Sequence, residues 1–428
     1  MLEALKTALK LPDLRKKLIW TLVLIGIFRL GIHIPVPGPW DPAQIRNLFG
    51  ADNNLFGLMD LMAGGALRKM SIFAMSVNPY ITASIIMSLL QMVIPSLQAL
   101  AKEGVEGRKV INQYMRYGTV VLAVVQSSAM IVGFRQAMIN PSSLDFALAI
   151  ICMTTGSVVL MWIGEVMSER GIGNGISMII FGGIVARIIP SVVEIVQSMG
   201  TKGQLGPNFV SIILFLAFAV VIIAGVVFVT QGERKIPVQY AKRMVGRKMY
   251  GGGSTYLPMK VNQTGVIPVI FASSLLAFPP TIAQFLPHTN WFAKFLNAFN
   301  NGSIWYLVCY ALFIFLFTYF YTAVTFNPVE VADNMKKYGG FIPGIRPGKS
   351  TAEYLDRVLT RITLAGALFL TIIALLPYLI NYIPIFRGLQ LSVNFGGTAL
   401  LIAVGVAMDI MRQIESQLLM RQYEGFLK

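Results

Sequence analysis

The stretch FVSIILFLAFAVVIIAGVVFVT, Phe209 to Thr230, runs for 22 residues without a charge. At about 1.5 Å per residue, a helix of that length crosses the ~30 Å hydrocarbon layer of a bilayer. On either side of it the pattern recurs. Comparable runs fall near Leu18 to Ile34, Ile72 to Ile94, Tyr117 to Phe134, Phe146 to Ile163 and Ile176 to Val196, and then near Gly265 to Leu286, Ile304 to Val324, Ile362 to Ile380 and Gly397 to Met411. Of the 428 residues, 55% are hydrophobic and 13% charged, with a mean hydropathy of +0.68. Soluble domains carry about twice that charge. The sequence therefore predicts an all-α polytopic membrane protein with ten transmembrane helices. It excludes a cytosolic enzyme, a secreted disulfide scaffold and a disordered chain.

Lys and Arg number 35 against 19 Asp and Glu, a net charge of +16. Placed between the spans, 26 of the basic residues fall on the side that holds both termini and at most 8 on the other, with Arg29 inside the first span. Basic residues stay cytoplasmic, so both termini are expected there. Cys152 and Cys309 lie in separate apolar runs and His33 and His288 are far apart, which offers neither a disulfide framework nor metal spacing. No cofactor is expected. Residues 1–17 read as an amphipathic cytoplasmic segment, and no small-residue cleavage site follows the first apolar run, so no removable signal peptide is expected.

Spans one to five occupy a first half, 18–208, spans six to ten a second half, 209–411, and 412–428 a cytoplasmic tail. Five spans per half means that the second half enters the membrane in the opposite sense, as inverted repeats do. Two features break this regularity. The segment NNLFGLMDLMAGGAL, 53–67, is apolar but too short to cross, and it contains Gly57, Gly64 and Gly65. It reads as a re-entrant half-helix or as an ordinary loop helix on the outer side. The cytoplasmic loops 231–263 and 326–361 each exceed 30 residues. The first carries Arg234, Lys235, Lys242, Arg243, Arg247 and Lys248; the second carries Lys336, Lys337 and the turn-rich PGIRPG, Pro343 to Gly348. Topology determination explains their charge but not their length, and long loops commonly carry function.

Catalytic motifs fail. Gly344 to Ser350 resembles a phosphate loop but has three residues between its glycines instead of four, and the alternating glycines of GIGNG, 171–175, follow no strand. That second motif reads as a helix-breaking turn before span five. No paired carboxylates, H-E-x-x-H or G-x-S-x-G occurs, so an enzyme is not expected. Charge within the spans is sparse, Arg29 and Asp409 being the clear cases. Asn78, Thr82, Ser84, Gln126, Ser127, Ser128, Ser273 and Ser274 either line an interface or watery cavity or make ordinary interhelical bonds.

The strings NPYITASIIMSLLQMVIPSL (78–97), EGRKVINQYMRYGT (106–119), GIGNGISMIIFGGIVA (171–186), YLPMKVNQTGVIPVIFASS (256–274), FNPVEVADNMKKYGGFIPGIRPG (326–348) and FGGTALLIAVGVAMD (395–409) resemble the SecY/Sec61 α family, in order and along the chain. The resemblance implies two inverted five-helix halves around a central pore, opening sideways between spans two, three, seven and eight. It implies a pore ring of Ile81, Ile85, Ile180, Ile184, Ile270 and Ile402, and a re-entrant plug, 53–67, with Leu55, Phe56, Met59, Leu61, Met62, Gly64 and Gly65. It further implies a lateral gate with Asn78, Thr82, Gln126, Ser127, Ser273 and Ser274, and docking residues Arg243, Arg247, Lys248 and Arg346 for the SecA motor ATPase and for the ribosome, through rRNA and ribosomal protein. SecE and SecG subunits, signal peptides, translocating preproteins and membrane lipid are the other implied partners. The implied task is passage of unfolded secretory polypeptides across the bacterial plasma (inner) membrane and sideways release of signal sequences and spans, driven by SecA or the ribosome. The pairs 81/85 and 180/184 each share a helix face, and a narrow apolar ring dewets when empty. An inverted-repeat secondary transporter of a small solute also suits the span parity. Missing midplane carboxylates and the outsized basic loops argue against it.

Overall fold

The computed structural model describes residues 11–45, 60, 63–200, 205–240, 243–245, 248–250, 254–276, 279, 303–380 and 397–426. Most of them are helical. Helix α1 (Pro12–Gly31) starts with proline at its first turn, Asp13 beside it and Arg29 in its last turn, each complementing the backbone dipole. Helix α2 (Asn78–Val93) stops at Ile94, whose backbone is extended because Pro95 follows, and α3 (Pro95–Lys102) leaves at a bend of 102°. Helix α4 (Val105–Gly133) leads through a short 3₁₀ turn to α5 (Ser143–Arg170), which is opened by a capping box of Ser142 and Asp145.

The turn into α6 (Gly175–Gly200) has a local cause. Asn174 Oδ1 accepts from the backbone N–H groups of Ile176 at 3.0 Å and Ser177 at 3.2 Å. A Cβ on Gly175 would lie 1.9 Å from the Gly164 carbonyl oxygen, so glycine is required where α6 crosses α5. The chain continues with α7 (Leu205–Gln231), β1 (Glu233–Tyr240), β2 (Arg243–Val245), β3 (Lys248–Tyr250), β4 (Ser254–Lys260) and α8 (Ile267–Leu276). Beyond lie α9 (Ile304–Thr325), α10 (Pro328–Lys337), β5 (Gly340–Phe341), α11 (Lys349–Ile380) and α12 (Gly397–Phe426). Helix α2 packs on α4 and α8, α9 on α8 and α11, and α12 on α6, α7 and α11.

Many outward faces are apolar: Leu30, Val93, Trp162 and Phe228 are all well exposed. Facing water, such a surface would drive aggregation; facing lipid, it carries no penalty. Among the described residues, α4, α5, α9 and α11 are long and apolar enough to cross a bilayer, and the bent pair α2 and α3 adds one more broken span.

Span two differs from the sequence expectation. Ile72 to Val77 form turns, and the helix starts only at Asn78. Ser76 sits at φ +52°, Pro79 supplies a natural first turn, and Ile72 N–H donates to the Ile34 carbonyl at 3.0 Å. Non-helical backbone at this depth is tolerable because protein buries it: Ser71 and Ser76 are inaccessible, and Ser71 Oγ donates to the Gly31 carbonyl at 2.9 Å. The segment also leans on α5, where a Cβ on Gly156 would come within 1.9 Å of the Ile72 carbonyl oxygen. Gly156→Val is therefore expected to cost about 1–3 kcal/mol and to lower the thermal unfolding midpoint in detergent. Gly118→Ala, whose new methyl would meet only the Ala83 Cβ at 3.6 Å, is expected to unfold at or above the parent temperature.

Candidate functional site

Six isoleucines from four helices fall in one buried apolar cluster. Ile81 and Ile85 come from α2, Ile180 and Ile184 from α6, Ile270 from α8 and Ile402 from α12. All are buried, between 1% and 5% exposed, and all belong to one apolar cluster with Val77, Leu276 and Val406. The cluster lies where α2 packs on α8 and α6 on α12, so it bridges the early and late parts of the chain. The six side chains themselves are aliphatic and offer no hydrogen-bond partner, though the wider cluster also holds aromatic residues such as Phe271, Phe317 and Tyr310.

Beside it sits the irregular segment that precedes α2. Asp60 is fully buried and ion-paired to Arg187 of α6, with Arg68 Nε at 3.4 Å from the same carboxylate oxygen. The other oxygen accepts from Arg68 N–H at 3.0 Å, and Arg29 of α1 donates to the Gly64 carbonyl at 3.0 Å. Gly64, at φ +66°, lies so close to α6 that a Cβ there would be 2.9 Å from Gly183 Cα, one residue from Ile184. Only glycine combines that φ with that approach. Gly65 lies against Arg187, and Ala63, Ala66 and Leu67 are fully buried. Residues 63–70 are turns, not helix; Leu55, Phe56, Met59, Leu61 and Met62 lie outside the described residues. Sequence reasoning passed over Arg187 and Asp60. The signal was present, since Arg187 falls within the run Ile176 to Val196, and an ionisable residue inside a span marks a site by default.

The polar residues along α2, α4 and α8 divide by direction. Thr82 Oγ1 donates to the Asn78 carbonyl at 3.0 Å and Ser273 Oγ to the Ile270 carbonyl at 2.9 Å. Each hydroxyl proton is thus committed within its own helix. Ser274 Oγ is buried with no hydrogen-bond partner, and Asn78 and Gln126 are half-buried. Ser127 turns away toward α5, where its Oγ meets Thr154 Oγ1 at 3.2 Å.

The two long polar loops form one body. Strand β1 pairs antiparallel with β4, Glu233 opposite Lys260 through Gln239 opposite Ser254, and β1 also pairs with β5, Tyr240 opposite Gly340. Ile236, Met259, Ile342, Leu355, Val358 and Leu359 fill the core of this platform. Arg243 and Lys248 belong to the small β2–β3 ladder, and Arg247 lies outside the described residues. Arg346 is exposed on the turn between Gly344, φ +81°, and Gly348, φ +103°, and its carbonyl accepts from Thr351 Oγ1 at 2.9 Å. The guanidinium is presented on a rigid corner.

The profile of the SecY family matches residues 71–411. Proteins named protein translocase subunit SecY are 47% identical in Streptomyces galbus and 46% in Mycobacterium tuberculosis strain H37Rv, each over all of this chain and all of the relative. The one from Thermotoga maritima is 45% identical over all of this chain and 98% of its own length. Among solved structures, one described as a protein conducting channel aligns with a TM-score of 0.66 at 18% identity, covering 94% of this chain and 92% of the other. Canine Sec61, in a ribosome–channel complex from the endoplasmic reticulum, aligns with a TM-score of 0.63 at 18% identity over the same shares. At such identities these two alignments speak to the fold.

The Gly64 approach can be checked directly. A left-handed φ costs a non-glycine residue about 1–2 kcal/mol, and the Gly183 backbone cannot yield. Gly64→Ala is expected to lift the segment from α6. With Cys152 and Cys309 replaced by serine, Ala66→Cys should resist a membrane-impermeant thiol reagent, and it should be labelled readily once Gly64→Ala is added.

Proposed function

We propose, from the premise that the chain belongs to the SecY family and is a protein-translocation channel subunit and not an enzyme, that its ten spans form two inverted halves in a bacterial plasma membrane with both termini cytoplasmic. Unfolded preproteins pass between the halves. The observation that supports this reading is that Ile81, Ile85, Ile180, Ile184, Ile270 and Ile402, from α2, α6, α8 and α12, are all buried and share one apolar cluster. A narrow aliphatic collar sheds water when empty and so blocks ions, while branched side chains close around a passing chain without recognising it.

The segment 53–67 serves as the plug on the outer side of the collar. The seam of α2 against α8 serves as the lateral gate, near Asn78, Thr82, Gln126, Ser127, Ser273 and Ser274, through which signal peptides and spans reach lipid. The Thr82 and Ser273 hydroxyls bond within their own helices and so do not tie α2 to α8. The platform of β1, β4 and β5, with Arg243, Arg247, Lys248 and Arg346, docks the SecA motor or the ribosome. Arginine suits both, because its planar fork pairs bidentately with carboxylate or phosphate. SecE and SecG complete the assembly.

Reconstitution with SecE and SecG in liposomes tests the whole reading. Adding SecA and ATP should yield protease-protected preprotein, and a complex that never protects it would sink the proposal. In that system, cysteine in place of Ile270 should crosslink to a stalled secretory chain. Glycine at 81, 85, 180 and 184 together should raise resting ion conductance in planar bilayers; an unchanged leak removes the collar from the mechanism. Arg346→Glu should lower SecA-driven transport at least several-fold while thermal unfolding stays at the parent value, because the side chain is exposed and its turn is held by backbone contacts.

A further inference from the structure

The buried charges beside the collar have no part in the mechanism so far, yet they are the most tightly engaged polar groups near it. Asp60 has no exposed surface and both its carboxylate oxygens are occupied, one by Arg187 of α6 and Arg68 Nε, the other by Arg68 N–H. Its own carbonyl accepts from Gly65 N–H at 2.8 Å. Arg29 of α1 holds the next carbonyl, that of Gly64. Three guanidinium groups thus converge on a stretch with a single carboxylate.

We propose that Asp60 is a positioning residue of the closed channel: paired with Arg187 it is fixed to α6, through Arg68 it holds residues 63–68 beside it, and loss of its charge releases those residues from their seat. The inference rests on the channel reading above and deepens it. A buried ion pair adds little net stability over an apolar contact of equal volume, but removing one partner strands the other and is severe. Such a pair therefore acts as a registration device: the segment is held firmly in one position and poorly in any other. Here loss of Asp60 would leave Arg187 buried without its counter-charge, next to Arg29.

The location of the latch adds a second consequence. Arg29 and Arg187 lie on α1 and α6, whereas the gate seam joins α2 to α8. Parting of that seam leaves these bonds intact, so gate opening and release of the segment are separable steps.

The experiment compares resting conductance, without SecA, of the complete reconstituted complex carrying Asp60→Asn, Asp60→Glu, or Asp60→Asn together with Arg187→Gln. Asp60→Asn should shift the seated-to-displaced ratio by about a hundredfold or more and raise resting ion flux at least about tenfold. Asp60→Glu should stay near the parent, and the double variant, which leaves no Arg187 charge stranded, should leak less than Asp60→Asn alone. Asp60→Asn as tight as the parent overturns the latch. So does a lowered unfolding temperature without extra flux, or a leak that the second substitution leaves untouched. If Asp60→Asn does not accumulate in the membrane, Arg187→Gln is measured instead, and a tight channel there overturns the proposal equally. A parent complex that fails to protect preprotein defeats the channel reading; a parent that transports while these variants stay tight defeats only the latch.

Discussion

A barrier that must stop ions and still yield to any polypeptide has to be held by contacts that are numerous, apolar and without assigned partners. On the proposed function, isoleucine meets that constraint at six positions. Each side chain gains about 1.5–3 kcal/mol from burial, and none of that gain depends on direction, so a passing chain that offers its own apolar surface can replace it. A serine or asparagine in the same place would demand a hydrogen bond, either from water, which admits ions, or from the cargo, which imposes selectivity. The proposed gate seam follows the same logic. Thr82 and Ser273 are polar, but their protons are directed into α2 and α8 themselves.

The segment beside the collar is governed by different physics because its task is different. It must occupy one site, and specific geometry achieves this better than generic burial. Three glycines make room for its backbone: Gly31 under the Phe73 ring, Gly156 under the Ile72 carbonyl and Gly183 under Gly64. Its polar groups are satisfied by the end of α1, through Val36 N–H to the Met70 carbonyl at 2.7 Å and Ile72 N–H to the Ile34 carbonyl at 3.0 Å. Irregular backbone is stable in a bilayer only under such cover.

Much of the architecture was legible in residue patterns. The apolar runs around Phe209, Ile304 and Ile362 locate α7, α9 and α11, and GIGNG reads correctly as the turn between α5 and α6, because a charge-free run and a cluster of glycines act through local sterics and solvation alone. Helix ends were less legible: α1 reaches back to Pro12, α4 to Val105, and α12 runs on to Phe426, since amphipathic turns continue a helix past the edge of its apolar run. Two features were out of reach for a deeper reason. The pairing of β1 with β5 joins residues about a hundred positions apart, and nothing in the 231–263 loop names its partner. The ion pair of Asp60 and Arg187 is likewise a long-range fact: each residue could be noticed alone, but their meeting depends on how residues 63–77 pack against α1 and α6.

The platform and the collar are also connected by a short path. Only residues 261–266 separate β4 from α8, and they are pinned on both sides. Val261 N–H donates to the Gly232 carbonyl at 2.9 Å, and a Cβ on Gly366 of α11 would stand 2.5 Å from the Val261 carbonyl oxygen. Val266 is pressed so closely against Gly405 of α12 that a Cβ there would lie 2.6 Å from it, and Asn262 and Thr264 are buried. A link without slack transmits displacement. Three residues into α8 comes Ile270 of the collar, followed by Ser273 and Ser274 near the seam with α2. On the proposed function, a partner that tilts the platform therefore acts on α8 through close-packed contacts, and α8 is the element shared by the proposed collar and the proposed gate.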